Sequence, residues 1–313
     1  MPSARICQAP LEVGPLLRER LFESVESVTL TSATLTVGGR FDHLLERLGL
    51  KDIPAPPPRE TSDEWTPTAF ADSQELDEPT WSYDEDTPLS LHTGTYPSPF
   101  DYQQQALLLV PRDLPEPDDP AFFRRAGQLL ARAIEHTGGG AFVLCTSYRA
   151  LTALHQVVQE RLVHPPTLLR QGDMGRQMLL ERFREDSDSV LFATDSFWEG
   201  VSVKGEALRL VAIPRLPFRV PAEPVQQARH EALEARGLDP FRAYSLPQAV
   251  LRLRQGVGRL VRSQQDRGAV LVLDRRISHR WYGRVFLASL PDMRRCTGPE
   301  RAVMPQLRGF FGN

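Results

Sequence analysis

Residues 255–262 read QGVGRLVR and form the most informative stretch of the chain. Gln255, Arg259 and Arg262 recur at i, i+4 and i+7, and on a helix that spacing places them on one face. Arginine is always charged and binds phosphate oxygens with two hydrogen bonds, so a face with two arginines is chemically suited to phosphate. The alternative is an amphipathic helix with a basic outer face and an apolar inner side.

The composition is that of an ordinary globular protein of 313 residues, 41% hydrophobic and 25% charged. A net charge of −3 gives no global signature of nucleic-acid binding, although it is compatible with a local basic track. Cys7, Cys145 and Cys296 form no C-x-x-C pair, so the cysteines predict neither zinc nor disulfides and favour a cytoplasmic location. No apolar run is long enough to span a bilayer, and we expect no membrane partner.

Strand and helix patterns alternate along most of the chain. The predicted strands are residues 106–110, 141–145, 167–170, 190–193, 208–213 and 269–273. The predicted helices are residues 120–136, 148–162, 176–184, 224–236 and 247–263, with a closing helix from 282 to 287. This alternation predicts an α/β fold with a doubly wound parallel sheet that helices cover on both faces.

The first hundred residues have a different character. Residues 28–32 (VTLTS) predict a buried strand, and a helical pattern with apolar residues at 41, 44, 45 and 48 ends at Gly49. Ten acidic residues and no Lys or Arg lie between Glu60 and Asp86, downstream of a proline-rich run. That composition predicts a flexible excursion over residues 51–97. We therefore predict a lead-in over residues 1–50, the excursion, and one α/β domain over residues 98–313.

Four polar motifs adjoin these strands in a fixed order. They are TSATL at 31–35, FVLCTSY at 142–148, DSFWEGV at 195–201 and QGVGRLVR at 255–262. In open α/β sheets, ligands bind outside the carboxyl ends of the strands, where the first three motifs fall. Their order resembles motifs III, IV, V and VI of superfamily-two helicases. Together with SPFDY at 98–102, Gln171-Gly172 and Leu290-Pro291, it makes the chain resemble the C-terminal half of the DinG family, the bacterial relatives of XPD.

The resemblance implies a RecA-like second motor domain with a nucleotide-facing side. Arg259 and Arg262 would act as arginine fingers on the ATP phosphates, and Gln255 would hydrogen-bond near the γ-phosphate. The residues implied to line the nucleotide cleft are Glu199, Gly200 and Gly258.

The resemblance also implies a side that grips single-stranded DNA. Ser147 and Tyr148 would contact the strand, through a hydroxyl on a phosphate and a ring on a base. Ser147 as a helix cap and Tyr148 as a packing aromatic remain equal alternatives. The residues implied to couple ATP hydrolysis to this grip are Thr31, Ser32 and Thr34.

The chain departs from the family pattern in two respects. Ser202 stands where the family usually has an aspartate in motif V. No G-x-x-x-x-G-K-[ST] or D-E-x-H occurs, and the glycines at 138–140 precede a strand rather than a helix. We therefore expect ATP and Mg²⁺ to be held mainly by a missing first motor domain, and no metal site in this chain.

The sequence predicts the C-terminal motor domain of an ATP-dependent DNA helicase, inactive alone and moving 5′ to 3′ by resemblance. Its expected partners are single-stranded DNA and an N-terminal helicase half, in cis or in trans. The alternative is a non-enzymatic module that binds single-stranded DNA or docks on a repair partner. A pure binding module would not need the Gln255, Arg259 and Arg262 pattern.

Overall fold

The computed structural model of the chain describes residues 10–54, 89–194, 197, 208–219 and 223–312. Packing divides it into two compact units. The amino-terminal unit contains the described residues up to 32 and from 41 to 96, and the sheet unit contains residues 33–40 and those from 97 onward. Most of the predicted acidic excursion, from residue 55 to residue 88, lies outside the described residues.

The sheet unit is built on seven parallel strands in the order β3-β4-β2-β5-β6-β1-β7. The strands are β1 Ala106–Pro111, β2 Ala141–Leu144, β3 Leu168–Arg170, β4 Val190–Ala193, β5 Leu210–Ile213, β6 Gly268–Val272 and β7 Arg294–Gly298. Alternate residues of β1 enter two separate cores, with Leu108 on one side of the sheet and Leu109 on the other. A sheet buried on both faces explains why β1, β2, β4, β5 and β6 are continuous apolar runs.

Helices cover both faces of this sheet. The α-helices of the sheet unit are α3 Tyr102–Gln105, α4 Phe122–Thr137, α5 Tyr148–Arg161, α6 Arg176–Glu185, α7 Pro224–Ala235, α8 Leu246–Val257, α9 Arg276–His279, α10 Gly283–Ser289 and α11 Glu300–Phe311, and a π-helical turn, Phe241–Ser245, precedes α8. Helices α6, α8 and α10 pack on one face, and α4, α5 and α11 pack on the other. The predicted doubly wound α/β fold is thereby confirmed.

The amino-terminal unit contains α1 Gly14–Leu17, a π-helical turn Arg18–Phe22 and α2 Asp42–Leu48. Gly49 ends α2 in the left-handed conformation (φ 73°), as the sequence predicts. A Cβ at Gly49 would lie 2.6 Å from the Gly14 carbonyl group, so glycine is required there for space as well as for conformation.

Residues 28–32 do not form the predicted strand. They are irregular, with Val28 38% and Leu30 47% exposed. A β-branched run becomes a strand only where a neighbouring strand accepts its hydrogen bonds and covers its side chains, and no described strand pairs with this one.

The arginine-bearing helix also ends earlier than predicted. Helix α8 stops at Val257 instead of continuing to residue 263, and Gly258 begins an irregular loop into β6. Gly256 and Gly258 weaken the helix at this point, because glycine is among the poorest helix formers. Gln255 lies on the helix, as predicted. Arg259 and Arg262 follow the helix, so the prediction that all three residues share one helical face is wrong.

Candidate functional site

The carboxyl ends of three neighbouring strands are joined by side-chain hydrogen bonds. The Tyr148 hydroxyl, beyond β2, accepts a hydrogen bond from Gln171 Nε2 at 2.8 Å. Gln171, directly after β3, accepts from the backbone N–H and the hydroxyl of Thr194, directly after β4, at 2.6 and 2.9 Å. The predicted DNA residue Tyr148 is thus held in place at the edge where open α/β sheets bind ligands.

Ser147 and Tyr148 have different local roles. The Ser147 hydroxyl accepts a hydrogen bond from Ala150 N at 3.2 Å and caps α5, which confirms the capping interpretation. Its O–H proton remains able to donate to a second acceptor. Tyr148 is 57% exposed, so it is not the packing aromatic of the alternative interpretation. A direct contact of either residue with DNA stays a prediction.

Cys145 lies immediately before this pair and is fully buried. Burial raises the pKa of its thiol well above the usual range. The thiol therefore stays protonated at neutral pH, and it does not serve as a thiolate nucleophile at the carboxyl ends of the strands.

Motif V falls almost wholly outside the described residues. Glu199, Gly200 and Ser202 are among the residues without a described position, so their predicted roles remain predictions. Phe197 is described, is buried, and lies 5.3 Å beneath the Arg176 guanidinium.

The loop from residue 258 to residue 267, here called the arginine loop, leads into the amino end of β6. Asp266 fastens it by accepting hydrogen bonds from the backbone N–H of Arg262 at 2.7 Å and of Ser263 at 2.9 Å. Gln105, directly before β1, donates from Nε2 to the carbonyl oxygens of Ser263 and Asp266 at 2.8 and 2.9 Å. The loop is therefore fixed at the amino ends of β1 and β6, whereas Tyr148 lies beyond the carboxyl end of β2.

The three predicted phosphate-facing residues differ in exposure. Gln255 is half-buried in the last turn of α8, and its Oε1 is buried without a hydrogen-bond partner among the described residues. Arg259 is 6% exposed, and Arg262 is half-buried. Gly258 is exposed between them and has an ordinary right-handed backbone. Two guanidinium groups and a primary amide make a donor set that fits phosphate oxygens.

The predicted coupling residues are divided between the two units. Thr31 and Ser32 are exposed and belong to the amino-terminal unit, whereas Thr34 belongs to the sheet unit and is half-buried. In the sheet unit, the guanidinium of Arg254 donates to the carbonyl oxygens of Ala33 and Thr36, both at 2.6 Å. Motif III therefore contacts the residue that directly precedes Gln255.

A fully buried carboxylate braces the carboxyl ends of β5 and β6. Asp274 Oδ2 accepts from the backbone N–H of Leu216 at 2.8 Å and from Arg276 Nη2 at 2.6 Å. Asp274 was not predicted as a site residue, although an aspartate directly after an apolar strand is a visible signal. Gln105 and Asp266 were not predicted either, because their partners are set by the fold.

Within the described ranges, no three His, Cys, Asp or Glu side chains are grouped so that they could hold a metal ion. Among the helices that the structure describes, none is both long and apolar enough to cross a bilayer.

The structure thus has a parallel α/β sheet with the arginine loop at the amino ends of its strands and the Tyr148 hydrogen-bond network at their carboxyl ends. The family model of the helicase C-terminal domain matches residues 130–293. The chain belongs to this helicase C-terminal domain family, and the predicted resemblance to the C-terminal half of DinG helicases is confirmed.

Several curated proteins are similar to the chain over almost its whole length. The ATP-dependent DNA helicase YoaA of Haemophilus influenzae is 38% identical over 94% of this chain and 40% of its own length. The ATP-dependent helicase DinG of Mycobacterium tuberculosis is 37% identical over 96% of this chain and 40% of its own length. The 3′-5′ exonuclease DinG of Bacillus subtilis is 34% identical over 90% of this chain and 27% of its own length. The chain spans less than half of each of these relatives.

Solved structures give a weaker likeness. Apo XPD matches with a TM-score of 0.47 and 12% identity, over 62% of this chain and 40% of that chain. Dbp5 of S. cerevisiae bound to RNA and ADP BeF3 matches with a TM-score of 0.41 and 14% identity, over 67% of this chain and 46% of that chain. The fold assignment rests on the strand order and parallel registers described above.

Proposed function

We propose that this chain is the second motor domain of a DinG-type, ATP-dependent DNA helicase and completes a nucleotide site whose phosphate loop lies on a first motor domain. The observation that carries the proposal is the arginine loop. Asp266 and Gln105 hold it in place, yet the chain has no phosphate-loop sequence of its own. A fixed pair of arginines without a phosphate cradle suits a site shared between two domains.

On the nucleotide side, ATP with Mg²⁺ would supply the phosphoryl transfer that drives movement. Arg259 and Arg262 stabilise negative charge on phosphate oxygens by charge-assisted hydrogen bonds. Gln255 presents a buried amide oxygen, an acceptor suited to orienting a water molecule. The cleft roles of Glu199, Gly200 and Gly258 are part of the same proposal.

On the DNA side, Tyr148 stacks on a base of single-stranded DNA, and the Ser147 hydroxyl donates to a phosphate. Stacking on an aromatic ring tolerates any base, which suits a motor that moves along arbitrary sequence. Gln171 supports the proposal by linking the Tyr148 hydroxyl to Thr194, which directly precedes motif V in the sequence. Movement in the 5′ to 3′ direction rests on the resemblance to the DinG family.

The first motor half, in cis or in trans, is the proposed protein partner. The amino-terminal unit exposes several large apolar side chains: Leu16, Leu21, Val25, Val28 and Leu30. An apolar surface of this kind suits burial against another domain. The β-branched run at residues 28–32 has the composition of a strand that joins a neighbouring sheet. A cytoplasmic location, expected from the cysteines, belongs to this proposal as well.

The isolated chain should bind single-stranded DNA weakly and should not hydrolyse ATP. Replacing Tyr148 with alanine should weaken DNA binding by about tenfold, because one stacked base contributes roughly 1–3 kcal/mol. Fluorescence anisotropy with a labelled oligonucleotide measures the affinity, and phosphate release measures hydrolysis.

The matched control is Tyr96→Ala, which removes a tyrosine that is 90% exposed and has no predicted role. It should leave DNA affinity unchanged. Equal losses in the two variants would contradict the role of Tyr148, and DNA-stimulated phosphate release by the isolated chain would contradict the proposed division of the site.

A further inference from the structure

We propose that Arg254 is a positioning residue that ties motif VI to motif III, a role that rests on the motor function proposed above. Its partner is the segment from residue 33 to residue 40, here called the motif III hairpin. Both lie in the sheet unit. No role was expected for Arg254 from the sequence, because it stands one position before the QGVGRLVR pattern.

The side chain of Arg254 donates hydrogen bonds to the motif III hairpin at two residues, Ala33 and Thr36. Its Nη2 donates to Ala33 O at 2.6 Å. Its Nη1 donates to Thr36 O at 2.6 Å and to Thr36 Oγ1 at 2.9 Å. Thr34 lies between these two anchors. The two nitrogens of one planar guanidinium thus fix the turn that carries a predicted coupling residue.

The backbone of Arg254 faces the other way, toward the arginine loop. Its carbonyl oxygen accepts the Gly258 N–H at 2.8 Å, where α8 gives way to the loop. Gln255 is its neighbour in the chain. A single residue therefore contacts the motif III hairpin through its side chain and the start of the arginine loop through its main chain.

The charge of Arg254 is compensated by carbonyl dipoles rather than by a carboxylate. Within the described residues it has no ion pair with an acidic side chain, and burial lowers the pKa of its guanidinium. A half-buried cation without a carboxylate partner loses much of its stabilisation when these carbonyl contacts break. The position of the hairpin and the environment of α8 are thereby linked energetically.

A second contact holds the tip of the hairpin. Gly38 N donates to Ser289 Oγ at 2.7 Å, and Ser289 Oγ in turn donates to Val285 O in α10 at 2.8 Å. Val37 and Arg40 close the hairpin, with Gly38 and Gly39 in left-handed conformations (φ 58° and 79°). Arg254 therefore holds the base of the hairpin by hydrogen bonds, and Ser289 holds its tip.

Hydrogen exchange on the 313-residue chain tests the contact without any enzymatic activity. In Arg254→Gln, the hydrogen-bonded backbone amides of Val37, Gly38 and Arg40 should exchange about tenfold faster, because the hairpin opens more often once its base is released. Arg254→Lys should give an intermediate rate, since a single ammonium group cannot span both anchors. Arg161→Gln, which removes the same charge from an exposed position on α5, should leave these amides unchanged. Exchange within twofold of the parent in Arg254→Gln would overturn the proposal.

The coupling role is tested after the chain is joined to a first motor half. Arg254→Gln should keep kcat for DNA-stimulated ATP hydrolysis and KM for ATP within about threefold of the parent. The number of base pairs opened per ATP should fall by about tenfold, because a hairpin that opens freely no longer transmits motion. Arg254→Lys should recover part of this yield.

Equal losses of hydrolysis and unwinding would show a purely structural role and overturn the coupling. If the joined parent neither hydrolyses ATP nor opens DNA, the proposed motor function fails and the coupling role fails with it. The exchange measurement on the isolated chain still decides whether Arg254 holds the hairpin.

Discussion

Replacing Arg262 with alanine, in the enzyme formed when this chain is joined to a first motor half, should lower kcat for ATP hydrolysis by about 10³-fold. An arginine finger acts on charge that develops during phosphoryl transfer, so its loss raises the barrier more than it weakens nucleotide binding. The backbone N–H of Arg262 is fixed by Asp266, which presents the side chain from a stable loop. Affinity for single-stranded DNA should stay within about twofold of the parent, since Tyr148 lies at the opposite edge of the sheet.

The control for Arg262 comes from the same loop. Arg267 is exposed, and its guanidinium lies 4.3 Å from the Phe310 ring centroid. Arg267→Ala removes the same charge and should leave kcat within a few fold of the parent. Steady-state phosphate release at saturating DNA measures both variants. A kcat for Arg262→Ala within a few fold of the parent would exclude a finger role for this residue.

Replacing Asp274 with alanine should lower the free energy of unfolding of the chain by about 3 kcal/mol. The carboxylate is 0% exposed and accepts the Leu216 N–H and the Arg276 guanidinium. Its removal leaves a buried donor unsatisfied and a partly buried cation without its partner. Urea unfolding followed by circular dichroism measures the change in the midpoint.

Asp52→Ala is the matched control, because the Asp52–Arg18 pair joins exposed side chains. Exposed pairs contribute little to stability, so the midpoint of this variant should hardly move. A similar midpoint for Asp274→Ala and the parent would show that the bracing of β5 and β6 is not important for stability.

The sequence was sufficient for six of the seven strands, β1 to β6, because their signals are local. The run at 141–145 is apolar throughout, and a strand covered on both faces needs no partner-specific pattern to be recognised. The edge strand β7 escaped prediction because Arg294 and Arg295 are exposed and its sequence RRCTG carries no apolar signal. The prediction of a strand at residues 28–32 was wrong for the opposite reason. These residues have the composition of a strand, but no described strand lies beside them.

The order of the site motifs along the chain could be predicted from the sequence, but the positions of their residues in the fold could not. The spacing of Gln255, Arg259 and Arg262 identified the motif, yet the helix ends between the first and the second of these residues. What fixes the loop is Gln105, more than 150 positions away along the chain. The grip of Arg254 on Ala33 and Thr36 likewise spans more than 200 positions. Such contacts depend on which strands become neighbours, and that is decided by the whole fold.

The central claim is that this chain supplies the second half of a shared ATPase site. The most direct test is DNA-stimulated phosphate release by this chain alone, by the N-terminal half of a DinG-type helicase alone, and by the two fused or mixed. We predict no hydrolysis by this chain alone, and hydrolysis by the combination well above that of the N-terminal half alone. A combination that binds single-stranded DNA but hydrolyses no faster than the N-terminal half would contradict the account and favour a non-enzymatic binding module.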